Sequence, residues 1–165
     1  MQTKKSLKNL SWIFITIFVI AFDRYTKYLI AKYFVLNEAV PIFPSLNLFY
    51  TLNKGAAFSF LNQASGWQIW FFAVIAVVVS VFIVIWLLRL RVSQPCLKIA
   101  LALILGGTLG NLYDRIFYGY VTDFIDVYYK TWHWPSFNVA DSAICVGAFI
   151  LVIDILFKKD IMYKV

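Results

Sequence analysis

Charge is scarce in this chain of 165 residues: Asp, Glu, Lys and Arg make up 14% of it, where a soluble globular domain carries about 25%. Histidine occurs once, at His133, so no His-Glu-x-x-His zinc motif can be written. A lone interfacial His reads as part of an aromatic belt. Cysteine occurs twice. Cys96 lies in a short basic turn and Cys145 in an apolar run, without a nearby partner or a metal-ligand spacing. A serine or cysteine hydrolase needs a base beside its nucleophile. Ser136 and Ser142 flank Asp141 with no evident His or Lys partner. The net charge of +7 contains no run of Lys and Arg, which argues against nucleic-acid binding and leaves loop charge that orients a membrane protein.

Apolar residues fill the space left by charge. They make up 62% of the chain, and the mean hydropathy is +0.80. The chain reads as an all-α integral membrane protein forming one domain over residues 1–165. Four runs are about long enough to span a bilayer: 10–30, 67–88, 97–114 and 137–157. The first follows a basic start but has no small-x-small cleavage site after it, and reads as an uncleaved helix. Between the spans lie two longer stretches, 31–66 and 115–136. The first holds Pro41, Pro44, Gly55, Gly66 and strand-like runs such as Leu46 to Leu52. Gly106 and Gly110 form a small-xxx-small pair that predicts a close helix contact.

Four spans put both termini on one side. Lys4, Lys5, Lys8, Arg89, Arg91, Lys98, Lys158, Lys159 and Lys164 gather there, and the positive-inside rule makes that side cytoplasmic. This topology sorts the ionisable residues. Asp23 and Lys27 fall near the outer end of the first span, and Asp114 and Arg115 at the outer end of the third. Asp141 opens the fourth, and Asn53 and Asp123 lie in the two outer loops. Ionisable groups at a membrane edge are expensive, and their gathering at one depth points to function. Asp23 and Lys27, four apart with the acid first, also suit a structural ion pair. Asp141 also suits a first-turn acid beside an Asn138 or Ser136 cap, and Asp126 reads as a solvated surface charge. The best-supplied chemistry is a pair of carboxylates, Asp123 and Asp141, sharing a proton and activating water. A small transporter using Asp23, Lys27, Asp114 and Arg115 is the second reading. It is weakened by the uncharged span 67–88. A lipid-binding or assembly factor using Arg115 and the aromatic belt is the third.

At these residues the chain resembles a known family. Asp23 to Lys27 (DRYTK), Asn53 to Phe58 (NKGAAF), Gly106 to Arg115 (GGTLGNLYDR), Gly119 to Phe124 (GYVTDF) and Phe137 to Ser142 (FNVADS) are similar, in order, to the five motifs of the lipoprotein signal peptidases, or signal peptidase II. That resemblance implies a bacterial membrane aspartyl protease with Asp123 and Asp141 as its catalytic pair. It cuts the signal peptide from prolipoproteins just before a Cys that carries a diacylglyceryl group. Asn53, Asn111, Arg115 and Asn138 would position the substrate or the pair. Asp23 would hold the site, with Lys27, Gly55, Asp114 and Ala140 in its support. The resemblance also implies no metal or organic cofactor, a monomer in contact with membrane lipid, and inhibition by the cyclic peptide globomycin. The protein would sit in the inner membrane with its site at the outer face. A small β-sheet cradle formed largely by the 31–66 loop would cover the membrane surface, with a mobile segment over the site.

Overall fold

A computed structural model of the protein describes residues 10–55, 66–90 and 94–162. Four long helices run through it: α1 (Ser11–Tyr33), α2 (Trp67–Arg89), α3 (Pro95–Tyr118) and α4 (Val139–Met162). Each extends beyond the apolar run that announces it, because a helix continues past the lipid-facing stretch until a local signal stops it. In α3 those signals are visible. Pro95 stands in the first turn, where its missing N–H costs nothing, and Gly119 ends the helix in the left-handed region at φ 74°. Among the described residues, three helices are long and apolar enough to cross a membrane: Trp67–Arg89, Pro95–Tyr118 and Val139–Phe157. Helix α1 is equally long, 23 residues, but carries Asp23, Arg24 and Lys27. The basic ends with Lys4, Lys5, Lys8 and Lys164, the basic turn residue Arg91, and residues 56–65 of the 31–66 loop lie outside the described residues.

Helix α3 is central and packs against α1, α2 and α4. One core cluster joins Trp12 of α1, Ile83 and Leu87 of α2, and Leu97, Leu101 and Leu105 of α3. The opposite faces expose large apolar side chains such as Phe14, Phe18, Val78 and Phe82, an inside-out pattern that lipid would satisfy. Glycines let α3 and α4 approach backbone to backbone. A Cβ on Gly107 would collide with the Ala140 carbonyl oxygen, and one on Gly147 would stand 2.6 Å from the Ala100 carbonyl oxygen. The Gly106 and Gly110 pair turns elsewhere. Gly106 meets Val19 of α1, and Gly110 meets the Asp23 carboxylate, its added Cβ 2.9 Å from Oδ2.

The sheet has four strands in the order β1 (Ala39–Phe43), β2 (Leu46–Asn53), β3 (Val121–Tyr129), β4 (Trp132–His133), all antiparallel. The 31–66 loop therefore supplies only half of it. The longest strand, β3, comes from 115–136, a stretch read from sequence as surface loop. Ser45 and Lys130 turn the chain between strands with φ of 69° and 56°. Register places Asn47 opposite Asp126, Thr51 opposite Asp123 and Asn53 opposite Val121. Because side chains alternate along a strand, Asp123 and Asp126 leave opposite faces of β3.

Candidate active site

Helix α4 begins with a reciprocal cap. The Asp141 N–H donates to Asn138 Oδ1 at 2.9 Å, and the Asn138 N–H donates back to Asp141 Oδ2 at 3.2 Å. This is the capping-box geometry, with Asn and Asp in the two roles. It fixes the Asp141 carboxylate at the N-terminus of the helix, where negative charge is favoured. The other Asp141 oxygen accepts from Asn111 Nδ2 at 2.8 Å.

Asp123 arrives from the other side, on β3. Its Oδ1 accepts from Asn138 Nδ2 at 2.7 Å and its Oδ2 from Asn53 Nδ2 at 3.1 Å. Asn138 thus binds both aspartates, one through its amide nitrogen and one through its backbone and Oδ1. It also donates to Asn111 Oδ1 at 3.2 Å. Burial, and after it the nearby Asp141 charge, push the Asp123 carboxyl up to about 7, against the pull of the Asn53 and Asn138 hydrogen bonds. Both aspartates line one cavity of about 410 Å³ with Asn53, Asn111, Arg115 and Ser142. The cavity continues along α4 past Ile144 and Cys145, and Trp134, Pro135 and Ser136 form its far wall.

Beneath the pair lies a buried ion network. Lys27 Nζ donates to Asn111 Oδ1 at 2.9 Å and stands 2.8 Å from Asp23 Oδ2 and 2.6 Å from Asp114 Oδ2. Arg24 pairs with the second oxygen of Asp114, and its guanidinium lies over the Tyr113 and Tyr118 rings. The other Asp23 oxygen accepts the Ala140 N–H at 2.9 Å, tying α1 to the first turn of α4. Asp23 and Lys27 are therefore an ion pair, as their spacing predicts, but one that includes Asp114 and holds Asn111 in place. Arg115 donates to the carbonyls of Asn111 (3.3 Å) and Gly55 (3.4 Å), and its guanidinium lies over the Phe72 ring. It faces the site's charge and holds the start of the segment after β2.

Every residue singled out from the sequence meets in this layer: Asp23, Lys27, Asn53, Gly55, Asn111, Asp114, Arg115, Asp123, Asn138, Ala140 and Asp141. Sequence reading missed Arg24 as a partner of Asp114, and it misread Asp126. That residue is 4% exposed, and its carboxylate accepts from Asn47 Nδ2 at 2.8 Å and bonds His133 Nδ1 at 2.9 Å. Exposed Val127 and Tyr129 follow it on β3, so nothing in the local sequence pattern sets Asp126 apart as a buried acid. Among the described residues, no group of three or more His, Cys, Asp or Glu is placed to hold a metal ion.

Fold and site define a mostly helical membrane-type protein with a small antiparallel sheet and a joined pair of carboxylates, buried Asp123 and half-buried Asp141, open to a cavity. Comparison with known proteins places that architecture. The model of the family described as "Signal peptidase (SPase) II" matches residues 15–157. A lipoprotein signal peptidase of Shigella boydii is 50% identical over 146 residues, covering 88% of this chain and 89% of that protein. One from Coxiella burnetii is 49% identical over 156 residues, covering 94% and 96%. A bacterial membrane enzyme solved by the in meso method at 2.3 Å superposes with a TM-score of 0.82 at 32% identity, covering 94% of this chain and 92% of that one. The chain belongs to the signal peptidase II family, and it is a protease of that kind.

Proposed function

We propose that this protease is an aspartyl endopeptidase that removes the signal peptide from diacylglyceryl-modified prolipoproteins, cutting just before the lipidated Cys. The observation that carries the reading is Asn138, which donates its side-chain amide to the Asp123 carboxylate and its backbone N–H to the Asp141 carboxylate within one cavity. Two carboxylates so held cannot both ionise readily, so the pair titrates as a unit. Asp141, at a helix N-terminus with an N–H donor on each oxygen, is the ionised base that takes a proton from water. Asp123 carries the shared proton, polarises the scissile carbonyl and then protonates the departing amine. Asn53, Asn111 and Asn138 hold the two carboxylates. Arg115 orients substrate beside them, and Asp23, Lys27 and Asp114 support Asn111 and the first turn of α4. Gly55 and Ala140 contribute backbone. No cofactor takes part.

In this reading residues 1–165 form one domain, and α1 is a fourth membrane span with its charged end at the outer interface. Both termini are cytoplasmic in the bacterial inner membrane, and the sheet cradles the outer surface. Lipid and signal helix reach the cavity along α4, and water enters from outside. The enzyme works as a monomer and is blocked by globomycin. The test mixes purified protein with a synthetic prolipoprotein, with and without its diacylglyceryl group, and follows peptide release by mass. Cleavage just before the lipidated Cys, lost in Asp123→Asn and Asp141→Asn, is expected. Cleavage by either variant at the wild-type rate would sink the pair.

A further inference from the structure

A second cavity, of about 540 Å³, lies beside the first and shares Trp134, Pro135 and Ser136 with it. Among the described residues, its remaining lining comes from the sheet, including Asn47, Asp126 and His133, and from no helix. The two cavities follow from strand alternation. Asp123 leaves one face of β3 toward the first, and Asp126 leaves the other toward the second.

The polar end of this cavity is built rather than incidental. Asn47, directly across the ladder, holds the buried Asp126 carboxylate. Asp126 in turn holds His133 through Nδ1, at 2.9 Å and 3.0 Å from its two oxygens. The His133 ring stacks on Tyr128, centroids 5.2 Å apart and planes within 19°. In the tautomer that donates Nδ1–H to the carboxylate, Nε2 is left as a hydrogen-bond acceptor. The His133 side chain is 51% exposed, so that acceptor meets incoming groups.

The geometry points to this cavity as the subsite for the extended, polar polypeptide on the amine side of the cleaved bond, with His133 Nε2 accepting one of its backbone N–H groups. The inference rests on the endopeptidase reading above. The first cavity runs along α4 between apolar helices and suits the apolar signal segment. Chain that continues past the reacting carbonyl crosses the Trp134 to Ser136 wall and meets the sheet residues that line the second cavity. An extended peptide offers N–H donors there, and a preset acceptor costs it little ordering. His133 is thus a positioning residue that touches neither the attacking water nor the scissile bond.

The test compares two synthetic diacylglyceryl substrates, one ending at the lipidated Cys as its amide and one continuing through several polar residues. Wild-type protein, His133→Ala and His133→Phe are assayed on both. The Phe variant keeps the ring on Tyr128 and removes the acceptor. Wild type should favour the longer substrate. Both variants should lose about tenfold in kcat/KM on it, through KM, and nothing on the short one. Equal loss on both substrates, or none on the longer, overturns the subsite. Failure of wild type to cut either substrate overturns the endopeptidase reading and this inference with it.

Discussion

Replacing Asp123 by Asn should make the protein more stable at high pH than at low pH relative to wild type. The group's ordinary value is 3.8, and in the folded protein it rises to about 7, first through burial and then through Asp141. A raised carboxyl means that the fold prefers the protonated form. The native state therefore holds its proton over a window in which the unfolded chain has lost it. Stability is fully present below about 4, falls as pH rises, and levels off above about 7. The whole span corresponds to roughly 4 kcal/mol, of which about 2–3 kcal/mol falls between pH 5 and pH 8. Asn keeps the shape and a hydrogen-bonding oxygen but cannot ionise. The melting temperature of the variant minus that of wild type, measured in detergent, should grow by roughly 5–10 °C from pH 5 to pH 8 for a chain of this size. A gap that is constant with pH, or wider at pH 5, would refute the buried, proton-holding carboxyl.

Other changes probe the surroundings. In Asp141→Asn, the second cause of the raised Asp123 value is gone, so the midpoint of Asp123 titration, followed by carboxyl infrared absorption, should fall below about 7. Lys27→Met leaves the buried Asp23 and Asp114 carboxylates short of their cation. It should cost about 3–5 kcal/mol in thermal unfolding, and an unchanged melting point would remove the network from the support. Gly107→Ala drives a methyl into the Ala140 carbonyl and should destabilise by about 1–3 kcal/mol, more than Gly110→Ala, whose added methyl meets a side-chain carboxylate. Equal melting points for the two glycine variants would contradict the backbone contact of α3 with α4. Asn138→Ala loses the α4 cap and the side-chain donor to Asp123, while its backbone N–H to Asp141 remains. It should cost about 1 kcal/mol or more and lower kcat, and wild-type kcat would show that the aspartates hold themselves.

Much of this protein is determined by sequence alone. Scarce charge and long apolar runs admit little but membrane helices, since the bilayer demands that each backbone group be satisfied within its own segment. The charges permitted at the ends of those runs are too costly to be idle. That is why Asp23, Lys27, Asp114, Asp123 and Asp141 stand out before any coordinates are known, and why their motifs carry the family. Pairing across elements was left to tertiary structure. That Lys27 lies between Asp23 and Asp114, that Arg24 completes Asp114, and that Asn138 joins both aspartates depend on how α1, α3, α4 and β3 meet. The sheet's second half was hidden because β3 is covered on both faces over residues 121–124 and lacks alternation there. Asp126 looked like a surface charge because the strand beyond it is exposed at Val127 and Tyr129, and only the ladder register brings Asn47 to it. The helix contact was also decided by packing. Sequence offers Gly106, Gly107 and Gly110 alike, and the rotation of α3 turns Gly107 toward α4, because a glycine acts only where another backbone comes close enough to need its missing side chain.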